Sequence, residues 1–100
     1  MSRFSSPDVE QALSRVMHPE IDYSLVDLGM IKDVVHRENK VGLTLMLPFG
    51  GIPIKELLIQ SIKGALSDLD KAIQIEINEE EMSQEERNTF MRMAKERWRF

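Results

Sequence analysis

Two histidines, His18 and His36, are the first candidates for metal or acid-base chemistry, and they fall on separate predicted elements without the H-x-x-x-H or H-E-x-x-H spacing that sets two imidazoles on one helical face. A closed metal site usually needs three or four ligands, so the pair reads as two solvated side chains. No G-x-S-x-G or comparable nucleophile motif is present, although Ser, His and Asp all occur. Gly50-Gly51, bracketed by Pro48 and Pro53, makes a loop that can adopt backbone angles closed to other residues and can aim N–H groups at an anion ahead of the next helix. It lacks the G-K-[ST] ending of a P-loop, and Pro53 has no N–H to give, so a plain turn is the simpler reading. Glu79-Glu80-Glu81 can attract a divalent cation, but beside a capping box the run reads as a solvated approach to a helix. The most informative count is that of cysteine, which is zero. Within this chain there is no disulfide, no thiolate nucleophile, no Cys-ligated zinc and no all-Cys iron-sulfur cluster.

The residues around these candidates are those of one globular domain spanning residues 1–100, with 42% hydrophobic and 30% charged residues arguing against a disordered or low-complexity chain. A net charge of -4 supplies no field for nucleic acid or an anionic membrane. The first residues lack a signal-peptide apolar run, and no stretch approaches the roughly 18 apolar residues of a membrane span, so a cytoplasmic protein is expected. The 90–100 segment mixes aromatics with Arg92, Lys95, Arg97 and Arg99, which superficially suits RNA. The acidic balance favours instead an amphipathic helix docked on its own domain or on a second copy.

The elements that must position these groups follow from hydrophobic period. Ser6-Pro7-Asp8 starts a helix whose buried face is Val9, Ala12, Leu13, Val16 and Met17, and Pro19 ends it. Residues 20–29 make a connecting loop. Met30 to Val35 and the alternating Val41, Leu43, Leu45 and Leu47 form a hairpin with one buried face and a polar tip at Arg37 to Lys40. Ile54, Leu57, Leu58, Ile62, Ala65, Leu66 and Leu69 trace the core helix. Ile73, Ile75 and Ile77 make a third strand, and Ser83-Gln84-Glu85-Glu86 caps a last helix running to the C-terminus with Phe90, Met91, Ala94 and Trp98 as its stripe. The predicted class is α+β: helices packed on a three-stranded mixed sheet with a β-β-α-β centre, in the order α, β, β, α, β, α.

Residues 9 to about 90 resemble the small metal-sulfur cluster assembly factors, the SufT-like and PaaD-like family, whose domain also fronts some iron-sulfur carrier ATPases. The resemblance is carried by 9–16, by His18-Pro19-Glu20-Ile21, by Val26-Asp27-Leu28-Gly29-Met30-Ile31-Lys32-Asp33-Val34, by 43–48 with the Pro53-started helix, by 73–77 and by 82–87. The family's fold agrees with the order read from periodicity. The chain departs from the family where the family keeps its chemistry: its Asp-Pro-Glu is His18-Pro19-Glu20 here, its Thr-Thr-Pro is Met46-Leu47-Pro48, and its Cys-Pro pair is missing. With Pro53 matched to that proline, Ile52 stands in place of the cysteine and Phe49-Gly50-Gly51 lengthens the loop. The family's Trp before the last helix is absent, with 78–81 in a shortened connection.

The resemblance therefore implies a non-catalytic accessory or adaptor in iron-sulfur cluster assembly that binds no cofactor by itself. It would dock an iron-sulfur scaffold, a carrier ATPase or a client protein that supplies the cluster ligands. The surface implied is His18, Glu20, Asp27, Gly29, Pro48, Gly50, Gly51 and Ile52. Two other readings stand beside it: a small-anion or metabolite module at Gly50-Gly51, and a homodimer built on the C-terminal helix through Phe90, Met91, Trp98 and Phe100.

Overall fold

Strict alternation of apolar residues from Val41 to Leu47 produces the strand on which the other elements are laid. The computed structural model describes residues 6–48 and 54–98. It contains α1 (Ser6–Ser14), β1 (Ile31–Arg37), β2 (Lys40–Leu47), α2 (Lys55–Ser67), β3 (Gln74–Glu81) and α3 (Gln84–Glu96). The α+β order and the three-stranded mixed sheet are those predicted. The strands lie in the order β1-β2-β3, with β1 antiparallel and β3 parallel to β2. Parallel neighbours need a crossover, which α2 supplies.

The alternation of β2 predicts one buried face, but every residue from Val41 to Leu47 is buried, including Gly42, Thr44 and Met46. The central strand of a sheet this small is covered on both sides. α2 packs on α1 and β3, with Leu58, Ile62 and Leu66 fully enclosed. Leu57, placed on the buried stripe by its spacing, is 48% exposed instead.

Three other boundaries differ from the sequence reading. α1 ends at Ser14, before Pro19, and Met17 then forms an antiparallel bridge with Ser24. That change of backbone direction turns Met17 outward while Val9, Leu13 and Val16 stay buried. Glu79-Glu80-Glu81 is not a helix approach but the end of β3, paired in register with Leu45, Met46 and Leu47. The Lys55 ammonium meets Glu79 at 3.3 Å, and acidic side chains along an edge strand oppose the addition of further strands. Finally, the last helix stops at Glu96, and Trp98 bridges Ile21. Asp22 donates its N–H to the Arg97 carbonyl at 2.8 Å, and the Arg97 guanidinium lies 4.9 Å from the Tyr23 ring centre.

Between α1 and β1 the chain reverses through a turn closed by two backbone bonds, Met30 N–H to the Leu25 carbonyl (2.9 Å) and Gly29 N–H to Val26 (3.0 Å). These are the paired bonds of a Schellman motif. Gly29, at φ 76°, takes the left-handed position such a motif requires, and Leu25 and Met30 are both fully buried beside it. The Val26-Asp27-Leu28-Gly29-Met30 string thus has a structural role: it delivers Met30 into the core. A few residues further on, β1 carries an extra residue between Lys32 and Val35, where Asp33 has φ 53°.

The capping box of α3 forms as predicted. Ser83 Oγ accepts the Glu86 N–H at 3.2 Å, and Glu86 Oε1 accepts the Ser83 N–H at 2.9 Å. These bonds from Ser83, with Lys32 at 3.4 Å, hold the Glu86 carboxyl below its ordinary pKa. Because the folded value is depressed, the contribution is present at neutral pH. It fades as acidification passes through the ordinary glutamate range of about pH 4 to 5 and lower. Glu86→Gln is expected to flatten that part of the pH-stability profile, as followed by urea denaturation at stepped pH. In the same assay Leu66→Ala is expected to cost about 2–5 kcal/mol. The exposed Leu57→Ala should stay within about 0.5 kcal/mol.

Candidate functional site

The reversal after α1, the end of β2 and the inner stripe of α3 border an open cavity of about 710 Å³. Its walls come from His18, Glu20 and Ile21, from Met30 and Pro48, from Ile54 ahead of α2, and from Phe90, Met91, Ala94, Lys95 and Trp98. Such a volume lies within the range of small-molecule and side-chain pockets. Glu20 and Lys95 are the only charged residues among these, so the site has an apolar interior with one charge of each sign.

His18 is 3% exposed, which corrects the reading of a solvated histidine. The bridge between Met17 and Ser24, with His18 N–H donated to the Tyr23 carbonyl at 3.0 Å, folds the segment so that the ring turns inward. The Nδ1 atom accepts the backbone N–H of Glu20 at 3.0 Å. An aspartate in an Asx turn makes the same bond to the residue two positions on, so an imidazole here preserves the turn across Pro19. The ring stands 6.4 Å from that of Phe90, tilted by 56°. His36 lies elsewhere, half-exposed near the hairpin tip, with Nε2 at 2.7 Å from the Glu38 carbonyl.

The structure divides the implied surface in two. His18, Glu20 and Pro48 line the cavity together. Asp27 and Gly29 line a separate groove with Leu28, Met82, Glu85, Glu86 and Thr89. The N–H of Asp27 is donated to Ser24 Oγ at 3.0 Å, so the start of that turn is capped from within. Gly50, Gly51 and Ile52 lie outside the described residues. Among the described residues no three His, Asp or Glu side chains are grouped so as to hold a metal ion.

Arg87 is a contributor that the sequence did not single out. Its Nε donates to the Pro48 carbonyl, one terminal nitrogen donates to the Met82 carbonyl at 3.2 Å, and the other to Gln84 Oε1 at 3.1 Å. One rigid guanidinium thus ties the exit of β2 to the first turn of α3. The only signal in the sequence was its place just after the capping box. Phe90, Ala94 and Trp98 were legible as an apolar stripe, but not that their partners are the 18–21 turn and Pro48.

An apolar cavity beside a Schellman-closed reversal, on an α+β scaffold with a mixed three-stranded sheet, is the setting in which the comparisons with known proteins fall. The chain belongs to the iron-sulfur cluster assembly protein family, whose model matches residues 7–77. It is 29% identical over 68 residues to the Fe-S protein maturation auxiliary factor YitW of Bacillus subtilis, covering 67% of each chain. It is 32% identical over 65 residues to an iron-sulfur cluster carrier protein of Synechocystis, covering 65% of this chain but only 18% of that protein. A crystal structure of a domain of unknown function, DUF59, from Bacillus anthracis superposes with a TM-score of 0.69 at 26% identity, covering 89% of this chain and 86% of that one. These relatives are named as an auxiliary factor and a carrier, in agreement with a non-enzymatic role. No helix among the described residues is long and apolar enough to cross a membrane.

The Nδ1 bond of His18 sets an expectation for stability. His18→Ala leaves the Glu20 N–H without that acceptor and should cost about 1–3 kcal/mol. His18→Asn, whose carbonyl oxygen can make the Asx-type bond, should recover much of the loss. Urea unfolding of the three proteins is the measurement. Equal losses for Ala and Asn would remove this role from the hydrogen bond.

Proposed function

We propose that this chain is an accessory or adaptor protein of iron-sulfur cluster assembly, which docks a scaffold, a carrier ATPase or a client through the cavity formed by 18–21, Pro48 and α3. The observation that carries the reading is an apolar cavity without a thiolate. The family places the chain in cluster assembly, yet it has no cysteine to hold iron or exchange a persulfide. A carboxylate and a single buried imidazole do not replace four thiolates. What the site offers is a place for an apolar side chain of a protein that owns the ligands, with Glu20 and Lys95 to orient it. In this reading the cluster is the cargo of the partner, and the chain acts in the cytoplasm.

The test is anaerobic affinity purification of the tagged chain from its host, with mass spectrometry of the partners and iron and sulfide assayed on the eluate. Enrichment of a cluster scaffold, carrier ATPase or iron-sulfur client is expected, with iron following that partner. Trp98→Asp places a charge on the cavity wall at a residue 49% exposed, so folding should survive. Partner recovery should fall by about tenfold or more, the loss of one interface anchor. A stoichiometric cluster on the isolated chain, or unchanged recovery with Trp98→Asp, overturns the reading.

A further inference from the structure

β1 is an outer strand of the sheet, paired only with β2. Along it Val34 and Val35 are exposed, Val35 to 64%. That value is high for a valine in a strand. Val35 lies opposite Gly42, and a Cβ built on Gly42 meets Val35 Cγ2 at 3.1 Å, so the valine rests across the strand where β2 has no side chain. Its outer side is uncovered.

The hydrogen-bonding phase of this edge follows from two observations. Met46 donates its N–H to the Met30 carbonyl at 2.7 Å, so even-numbered residues of β2 bond toward β1. The partners Val35↔Gly42 and Arg37↔Lys40 keep that phase beyond the bulge. The backbone groups of Val35 and Arg37 are therefore turned to β2, and Val34 and His36 present theirs to the outer side. Antiparallel pairing of this edge with a second β1 must match residues of the same phase, so pairing 34 with 35 is excluded. A two-fold axis at Val35 satisfies the requirement and sets Val34 opposite His36.

The same register matches charge. It places Asp33, at the bulge, opposite Arg37 on both sides of the axis. An axis at Val34 sets Asp33 against Val35, and one at His36 leaves Arg37 facing Val35. Of these three, only the axis at Val35 sets Asp33 against Arg37. The Asp33, Arg37 and Glu38 side chains make no hydrogen bond or ion pair among the described residues. Asp33 and Glu38 are also the two non-glycine residues with positive φ, 53° and 54°, so the bulge and the hairpin tip bound a short regular edge between them.

We infer that β1 is the interface of a homodimer in which the edges of two copies pair antiparallel about Val35, joining two three-stranded sheets into one of six. With so few residues in the ladder, the complex forms at high protein concentration rather than at trace levels. This surface is separate from the cavity assigned above to a partner protein, and the inference does not depend on that assignment.

The absence of cysteine makes the test clean. At the axis of an antiparallel pair, in a non-hydrogen-bonded position, two Cα atoms lie about 4.5 Å apart, within the span of a disulfide. Val35→Cys should therefore yield a covalent dimer under mild oxidation. Val34→Cys, offset by two residues and roughly 8 Å from its mate, should not, nor should Gln60→Cys on α2. Sedimentation velocity of the unmodified chain up to roughly 1 mM should show reversible dimers. Arg37→Glu should raise their dissociation constant by about tenfold or more, since it sets two pairs of like charge face to face. A monomer throughout the series, or Val35→Cys cross-linking no faster than Gln60→Cys, overturns the proposal.

Discussion

The constraint on which the rest of this structure depends is the burial of β2 on both faces. A strand from which water is excluded on either side must have its backbone groups paired to left and right. β1 and β3 provide that pairing in opposite senses, antiparallel through the hairpin and parallel through α2. Placing Leu58, Ile62 and Leu66 against the sheet is then what makes α2 the core helix. The end of β2 inherits the same requirement. Pro48 gives its carbonyl to Arg87, and Leu47 gives its own to Met82 N–H, so α3 is tied to the strand before its apolar stripe meets anything.

Much of the fold was legible because local signals agreed with one another. The capping box at Ser83, the alternation of β2 and the helical period of α2 each named an element, and each formed. What escaped were features decided by tertiary pairing. Glu79 to Glu81 are poor strand residues by propensity, yet a parallel partner in register carries them as strand through Glu81. The exposure of Leu57 and Met17 has the same origin, since spacing marks a stripe but not its width or where the chain turns away from it.

The site was legible in part, for a different reason. His18-Pro19-Glu20 and Val26-Asp27-Leu28-Gly29-Met30 stand out together because both belong to one reversal of the chain, and the structure shows that they serve different ends. The first wraps the cavity, while the second closes a backbone motif, faces another groove with Asp27 to Gly29, and gives only Met30 to the cavity wall. Composition pointed furthest toward function. Family membership sets the process, and the sequence brings no cysteine thiol to it.

The acidic character of β3 has a consequence for the size of any assembly built on this sheet. Glu76, Glu79, Glu80 and Glu81 line one margin of the sheet, and β1 forms the other. Pairing the β3 margin with its own copy brings acid against acid. With β1 occupied by a second copy, further strand addition through the β3 margin is opposed by its glutamates, of which Glu79 to Glu81 were marked by the sequence only as a solvated run.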